Sequence, residues 1–203
     1  MKNKEKRSFM FEIENDEKES RKMVGHAAVF NEVAEIGGWF REQVEPGAFK
    51  SSIRKDDVRA LFNHDENYVL GRNTAGTLKM SEDKDGLKVT IDPPDTQFAR
   101  DLGVSIEHGD ISQMSFAFQV LEEEWIRGEN KELDLRKIKK VRLFDVSPVT
   151  FPAYDGTDIG LRSHQEWRKQ IDNDDPEGES AFELVIEPDS LMSLRRHFLN
   201  RRL

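Results

Sequence analysis

The chain has 203 residues, with 31 Lys and Arg against 40 Asp and Glu, a formal net charge of −9 and no cysteine. Net acidity argues against non-specific nucleic-acid binding, which depends on cationic side chains displacing phosphate counterions. The lack of cysteine excludes disulfides, thiolate nucleophiles and Cys-ligated zinc or iron–sulfur centres, so a nucleophile has to be a hydroxyl, a carboxylate, a lysine or a metal-bound water. No segment approaches the roughly 18 apolar residues that span a bilayer. The opening MKNKEKRSFMFEIEND has no apolar run of the kind a signal peptide carries. A soluble, intracellular protein is expected.

Residues 1–22 read as a charged extension, with a first strand where Phe9, Phe11 and Ile13 alternate. Residues 23–162 carry most of the apolar periodicity and turn signals and are expected to form the folded domain. Within it, MVGHAAVFNEV (23–33) reads as a strand rich in small residues, and VEPGAF (44–49) as a turn into a short helix. VRALFN (58–63) alternates and leads into His64. TLKMSEDKDGLKVTID (77–92) reads as a hairpin turning at Lys84-Asp85-Gly86. A helix over 96–108 is predicted from the cap at Asp95 or Thr96, the spacing of Phe98, Leu102 and Ile106, and Gly109 beyond its end. QMSFAFQVLEEEW (113–125) and RKIKKVRLFDVSPVTFPA (136–153) read as the arms of a long hairpin around the polar stretch IRGENKELD. Residues 163–188, with the acidic run DNDDPEGE (172–179), read as a linker. Residues 189–203 place Leu191, Leu194, Phe198 and Leu199 near helical spacing beside four arginines, which reads as a basic amphipathic helix. The fold class expected is α+β and mainly β.

The long hairpin carries a register argument. Centring its turn near Asn130 sets Phe116 opposite Phe144 and Ser115 opposite Asp145. Phe116, Phe118, Val120, Phe144 and Val146 then share a buried face, while Ser115, Ala117, Leu143 and Asp145 share the other. A hydroxyl and a carboxylate are thereby brought close on adjacent strands, a pattern that a purely structural serine also satisfies. Of the five histidines, His164 and His197 lie in the divergent tail and His108 sits at a helix C-terminus, where the helix dipole accounts for it. His26 lies inside a predicted strand as a core histidine. His64 is the natural candidate for a general base. Asp65 and Glu66 follow it without a second histidine at ligand spacing, so no metal site and no cofactor is expected. Gly37-Gly38 is a turn, since no GK[ST] follows.

Taken together and in order, several stretches resemble one family. They are GHAAVFNE (25–32), EPGAF (45–49), ALFNHDENYVLGR (60–72), TLKMSEDKDGLKVTIDPPDT (77–96), the helix with GDIS and QMSFAF (97–118), and RLFDVSPVTFPAYDGT (142–157). The chain is similar over about residues 23–162 to the caudovirus prohead proteases, serine proteases of tailed-phage capsid maturation related to herpesvirus assembly proteases. The resemblance implies a closed or nearly closed β-barrel ringed by a few helices. It implies Ser115 as nucleophile and His64 as general base. Asp145 takes the third place, where the herpesvirus enzymes use a second histidine; His108 and Glu107 remain rivals for it. The oxyanion donors are not identified, with Arg72 and backbone N–H groups as possibilities. The implied function is a serine endopeptidase that cleaves scaffold or major-capsid-protein segments, and itself, in the host cytoplasm inside the procapsid. A non-catalytic assembly module on the same fold is the alternative. The partners implied are capsid and scaffold proteins and possible self-association, with no membrane and no specific nucleic acid.

Overall fold

Two long runs of alternating side chains, at 113–126 and 135–149, supply the spine on which the other strands assemble. In the computed structural model the described residues are 5–10, 14–15, 22–130, 132–151 and 157–174. In chain order the elements are β1 (Glu5–Met10), β2 (Glu14–Asn15), β3 (Met23–Val29), β4 (Ala34–Ile36), β5 (Phe40–Val44) and α1 (Lys50–Lys55). They continue with β6 (Arg59–Phe62), β7 (Asp65–Arg72), a 3-10 turn (Asn73–Ala75), β8 (Leu78–Glu82) and β9 (Gly86–Ile91). The remainder are α2 (Gln97–Glu107), β10 (Gln113–Ile126), β11 (Leu135–Val149) and α3 (Thr157–Asp174). The class is α+β and mainly β, with three α-helices among the described residues. The chain divides into two compact units, Met1–Gln165 and Glu166–Leu203. Of the second, residues 166–174 are described, all within α3.

The larger sheet runs β1-β10-β11-β5-β4, with β6 also paired to β11 and β7 paired to β6. The smaller runs β2-β3-β9-β8. One edge of β11 serves two parallel partners in succession: β5 along Leu135–Ile138, then β6 at Asp145 and Val146. Between these two ladders the edge is met by α1, which lies between β5 and β6 in the chain. Ser52 Oγ donates to the carbonyl of Val141 (2.9 Å) and accepts the N–H of Leu143 (2.8 Å). The N–H of Val141 donates to the carbonyl of Ala48 (3.1 Å). The helix thus satisfies backbone groups of β11 that would otherwise be buried unpaired.

The expected barrel needs correction, because the two sheets are not closed into one. No ladder joins them among the described residues. The larger sheet forks at β11 instead of wrapping round, and β7 pairs with β6 alone. Apolar residues of both sheets meet in one core that includes Ala28, Leu87, Val89 and Ile91 from the smaller sheet and Phe116, Phe118, Leu143 and Val146 from the larger. Phe49 and Phe116 pack edge to face there, at 5.4 Å between centroids.

Most elements fall where the sequence puts them. The hairpin of β8 and β9 forms, and α2 is capped by Thr96, whose side chain accepts the N–H of Ala99 at 3.2 Å. Leu102 and Ile106 of α2 are buried. The N-terminal strand is displaced toward the N-terminus of its expected position: β1 ends at Met10, and residues 11–13 lie outside the described residues. Helix α3 occupies 157–174, including the first part of the stretch read as linker. The rest of that linker and the basic helix expected over 189–203 lie outside the described residues.

Along Gln113–Ala117 the register of β10 on β11 differs from the expected one by two residues, and from Phe118 to Ile126 mostly by one. Ser115 stands opposite Ser147, and Ala117 opposite Asp145. An even slip preserves which side chains share a face, so Ser115 and Asp145 remain on the same face as diagonal neighbours. A bulge separates the two stretches: Phe118 pairs with Leu143, skipping Phe144. The extra residue inverts the alternation beyond it. Leu143 is therefore buried with Phe118 in the core, while Phe144 is only half-buried with the Arg142 guanidinium over its ring.

Candidate active site

The larger sheet places three side chains at one point. Ser115 comes from β10, Asp145 from its neighbour β11, and His64 from the turn after β6, which is the other partner of β11 at that level. The β6–β7 turn has two residues, Asn63 and His64, between the paired Phe62 and Asp65. Both are left-handed, with φ of 54° and 57°. Two consecutive positive φ values make a type I′ hairpin turn, which suits Asn at the first position and normally takes Gly at the second. A histidine held there is locally strained. Asn63 pins the turn to the end of β11. Its N–H donates to the carbonyl of Pro148 (3.0 Å), its Nδ2 donates to Thr150 Oγ1 (3.1 Å), and its Oδ1 accepts the Thr150 N–H (2.8 Å).

His64 Nδ1 lies 2.5 Å from Asp145 Oδ1, and His64 Nε2 lies 2.8 Å from Ser115 Oγ. An ionised carboxylate only accepts, so its contact assigns the neutral ring's proton to Nδ1 and leaves Nε2 as an acceptor facing the serine. Ser147, directly across from Ser115, donates its hydroxyl to Asp145 Oδ1 at 3.1 Å. The site is closed: Ser115 is 0% exposed, and the His64 and Asp145 side chains 3% and 2%. Ser115 Oγ has a second acceptor in reach, the main-chain carbonyl of Arg7 at 2.7 Å. Arg7 lies on β1, which pairs antiparallel with β10 so that Ser8 stands opposite Ser115.

An acyl-transfer site requires a hydroxyl, a base in hydrogen-bond reach and a group orienting that base, and this arrangement has those three parts. A family model described as caudovirus prohead serine protease matches residues 9–170. The chain belongs to the caudovirus prohead serine protease family. No curated protein and no solved structure matches it. A prohead protease is a hydrolase of capsid maturation, and the matched segment includes all three side chains of this cluster.

The remaining candidates lie elsewhere or are otherwise engaged. His108 is exposed and faces Asp110 at 3.4 Å, and Glu107 ends α2. The Arg72 guanidinium is held by Asp57, at 2.7 Å from Nε and 2.5 Å from Nη2. That hydrogen bond, reinforced by the charges of Arg59 and Arg72, brings the exposed Asp57 carboxyl down to about 2. Asp65 Oδ1 closes a local turn by accepting the N–H and Nδ2 of Asn67 (2.9 and 2.8 Å). Among the described residues, one cluster has the donor set of a metal site: His26, Asp83 and Asp85 at the β8–β9 turn. Its geometry is that of the turn, since Asp83 Oδ1 accepts the N–H groups of Asp85 and Gly86. No helix among the described residues is long and apolar enough to cross a membrane.

Sequence reasoning missed Asn63 and Ser147, although both have recognisable types. Asn at the first position of a two-residue turn is a hairpin signal, and Ser147 lies two residues beyond Asp145 on the same strand face. It also missed a buried charge network. Arg7 Nε and Nη2 donate to Glu42 (2.5 and 2.9 Å), and Arg7 Nη2 also donates to Glu5 (2.9 Å). Arg136 Nη1 donates to Glu5 (2.9 Å) and Glu42 (3.0 Å). Burial alone would raise the Glu42 carboxyl, but Arg7 and Arg136 outweigh it and hold Glu42 below the ordinary value.

Proposed function

We propose that this chain is a prohead maturation endopeptidase in which Ser115 is the nucleophile, His64 the general base and Asp145 the residue that orients it. The observation that carries this reading is the continuous hydrogen-bonded chain from Ser115 Oγ through the His64 ring to Asp145 Oδ1, at 2.8 and 2.5 Å. A serine hydroxyl is a weak nucleophile until a base removes its proton. Nε2 of His64 accepts that proton as Oγ attacks the scissile carbonyl carbon. The same proton then passes to the leaving amine, and a water activated in the same way releases the acyl group. Asp145 fixes the proton on Nδ1 and stabilises the imidazolium formed on each attack. Ser147 and Asn63 act as positioning residues, the first on Asp145 and the second on the turn that carries His64. The substrates proposed are capsid-protein or scaffold segments within the procapsid, together with the chain itself.

The test is co-expression of this chain with the capsid protein of the same genome, followed by intact-mass analysis, with Ser115→Ala in parallel. Trimming of the capsid protein or of the chain by the wild type, and by Ser115→Ala not at all, is the expected result. Association with the capsid protein without cleavage by either would replace this reading with that of an assembly module.

A further inference from the structure

The three side chains of the site are nearly inaccessible, and part of what closes them is β1. This strand pairs antiparallel with β10 from Glu5 opposite Phe118 to Met10 opposite Gln113, so its backbone occupies the lane beside Ser115. It forms the end of the larger sheet. Were β1 absent, the unpaired backbone groups of β10 would present an edge on which any extended segment can add as a strand. β1 also competes for the serine proton. A hydroxyl has one hydrogen to donate, and Ser115 Oγ has two acceptors in reach: the Arg7 carbonyl at 2.7 Å and His64 Nε2 at 2.8 Å. While that hydrogen points at Arg7, Nε2 cannot take it.

We infer that β1 is an inhibitory strand: it holds the site closed, and an extended substrate segment reaches Ser115 only when β1 has left β10. This inference rests on the protease reading proposed above. The strand is held by its ladder and by a buried anchor, in which Glu5 and Arg7 engage Glu42 of β5 and Arg136 of β11. All four side chains are buried. The anchor lies on the face of β10 that carries Phe116 and Phe118, opposite to the face of Ser115. Closure is therefore built from groups that take no part in the chemistry.

A reversible lock tests the inference, and a chain without cysteine is suited to it. Met10→Cys with Gln113→Cys places two thiols at the last opposed pair of the ladder. Covalent labelling of Ser115 by a fluorophosphonate is then followed by intact mass on the oxidised and reduced forms of the same full-length protein, with wild type and Ser115→Ala as references. The expected result is labelling at least about tenfold slower in the oxidised form, equivalent to about 1.4 kcal/mol of bias toward closure, with the reduced form matching the wild type. Equal rates in the two forms overturn the inference and leave the protease reading standing. Labelling of Ser115 in neither form overturns both. Should this pair fail to fold, Lys6→Cys with Ala117→Cys, another opposed pair of the same ladder, gives a second lock with the same outcomes.

Discussion

The contact between His64 and Asp145 predicts a specific loss on Asp145→Asn. The substitution keeps size and shape in a position 2% exposed, so the change is one of charge and hydrogen bonding. Attack by Ser115 creates an imidazolium whose Nδ1 lies 2.5 Å from the carboxylate, with charge centres about 4 Å apart. At an effective dielectric near 20 that attraction is about 4 kcal/mol, or about three decades in rate. The amide also offers its NH2 to Nδ1, which favours the tautomer with the proton on Nε2, where it can no longer accept from Ser115. Together these effects predict a rate about 10³- to 10⁴-fold below wild type, with an unchanged fold by circular dichroism. The assay is the rate constant for trimming the capsid protein, measured beside fluorophosphonate labelling of Ser115. A rate for Asp145→Asn within tenfold of wild type would refute the assignment of the third member.

Three further outcomes follow from geometry elsewhere. Asn63→Gly removes two side-chain hydrogen bonds and should cost about 1–2 kcal/mol, while Asn63→Ala adds about 1 kcal/mol more because its φ is 54°; urea denaturation measures both, and kcat should fall at a nearly constant KM as the His64 turn loosens. Gly86→Ala would set a Cβ 1.9 Å from the carbonyl oxygen of Ala28, forcing β3 and β9 apart, so a loss of about 3 kcal/mol or more is expected by the same method. Glu42 has its folded pKa depressed below the ordinary 4.5; it faces Arg7 and Arg136, with Glu5 beside them, so its contribution is complete above that value and is lost as pH falls below it. The protection of β1 amides, taken relative to their intrinsic exchange rate at each pH, should therefore fall on acidification through this range, and unchanged protection would count against the anchor.

How much the sequence discloses differs from element to element for physical reasons. The face-sharing of Ser115 and Asp145 survives because the one-residue offset near the turn and the one-residue bulge at Phe144 add up to an even slip. Their exact pairing was not legible, since the 127–134 connection is not a tight turn about Asn130 and the ladder carries irregularities. The bulge at Phe144 has no sequence mark; it falls beside the Leu143 amide, which donates to Ser52 and Asp56 of a separate element. β1 escaped its true position because Glu5 and Arg7 read as solvated charges, whereas Glu42 and Arg136 neutralise them inside the protein. Strands β4 and β5 are short and charged, and β5 is held in the sheet by its parallel partner. His64 was found as a residue type, but its left-handed turn was not, because Asn-His is a poor version of the Asn-Gly signal. α3 starts in a segment whose composition had suggested an ending domain, yet Gly160 packs closely against Phe40 and His164 pairs with the buried Asp134.

The two strands and the turn that carry the site have a bearing on the time at which it can come into being. His64 is 51 residues from Ser115 and 81 from Asp145 in the chain. Contacts so distant in sequence form slowly, since the entropy of closing large loops must be met before they give any return. The turn bearing His64 is fastened to Pro148 and Thr150, at the far end of β11. A ribosome therefore releases β1 to β11 before His64 can be set against Ser115, and until then the growing chain lacks the assembled cluster.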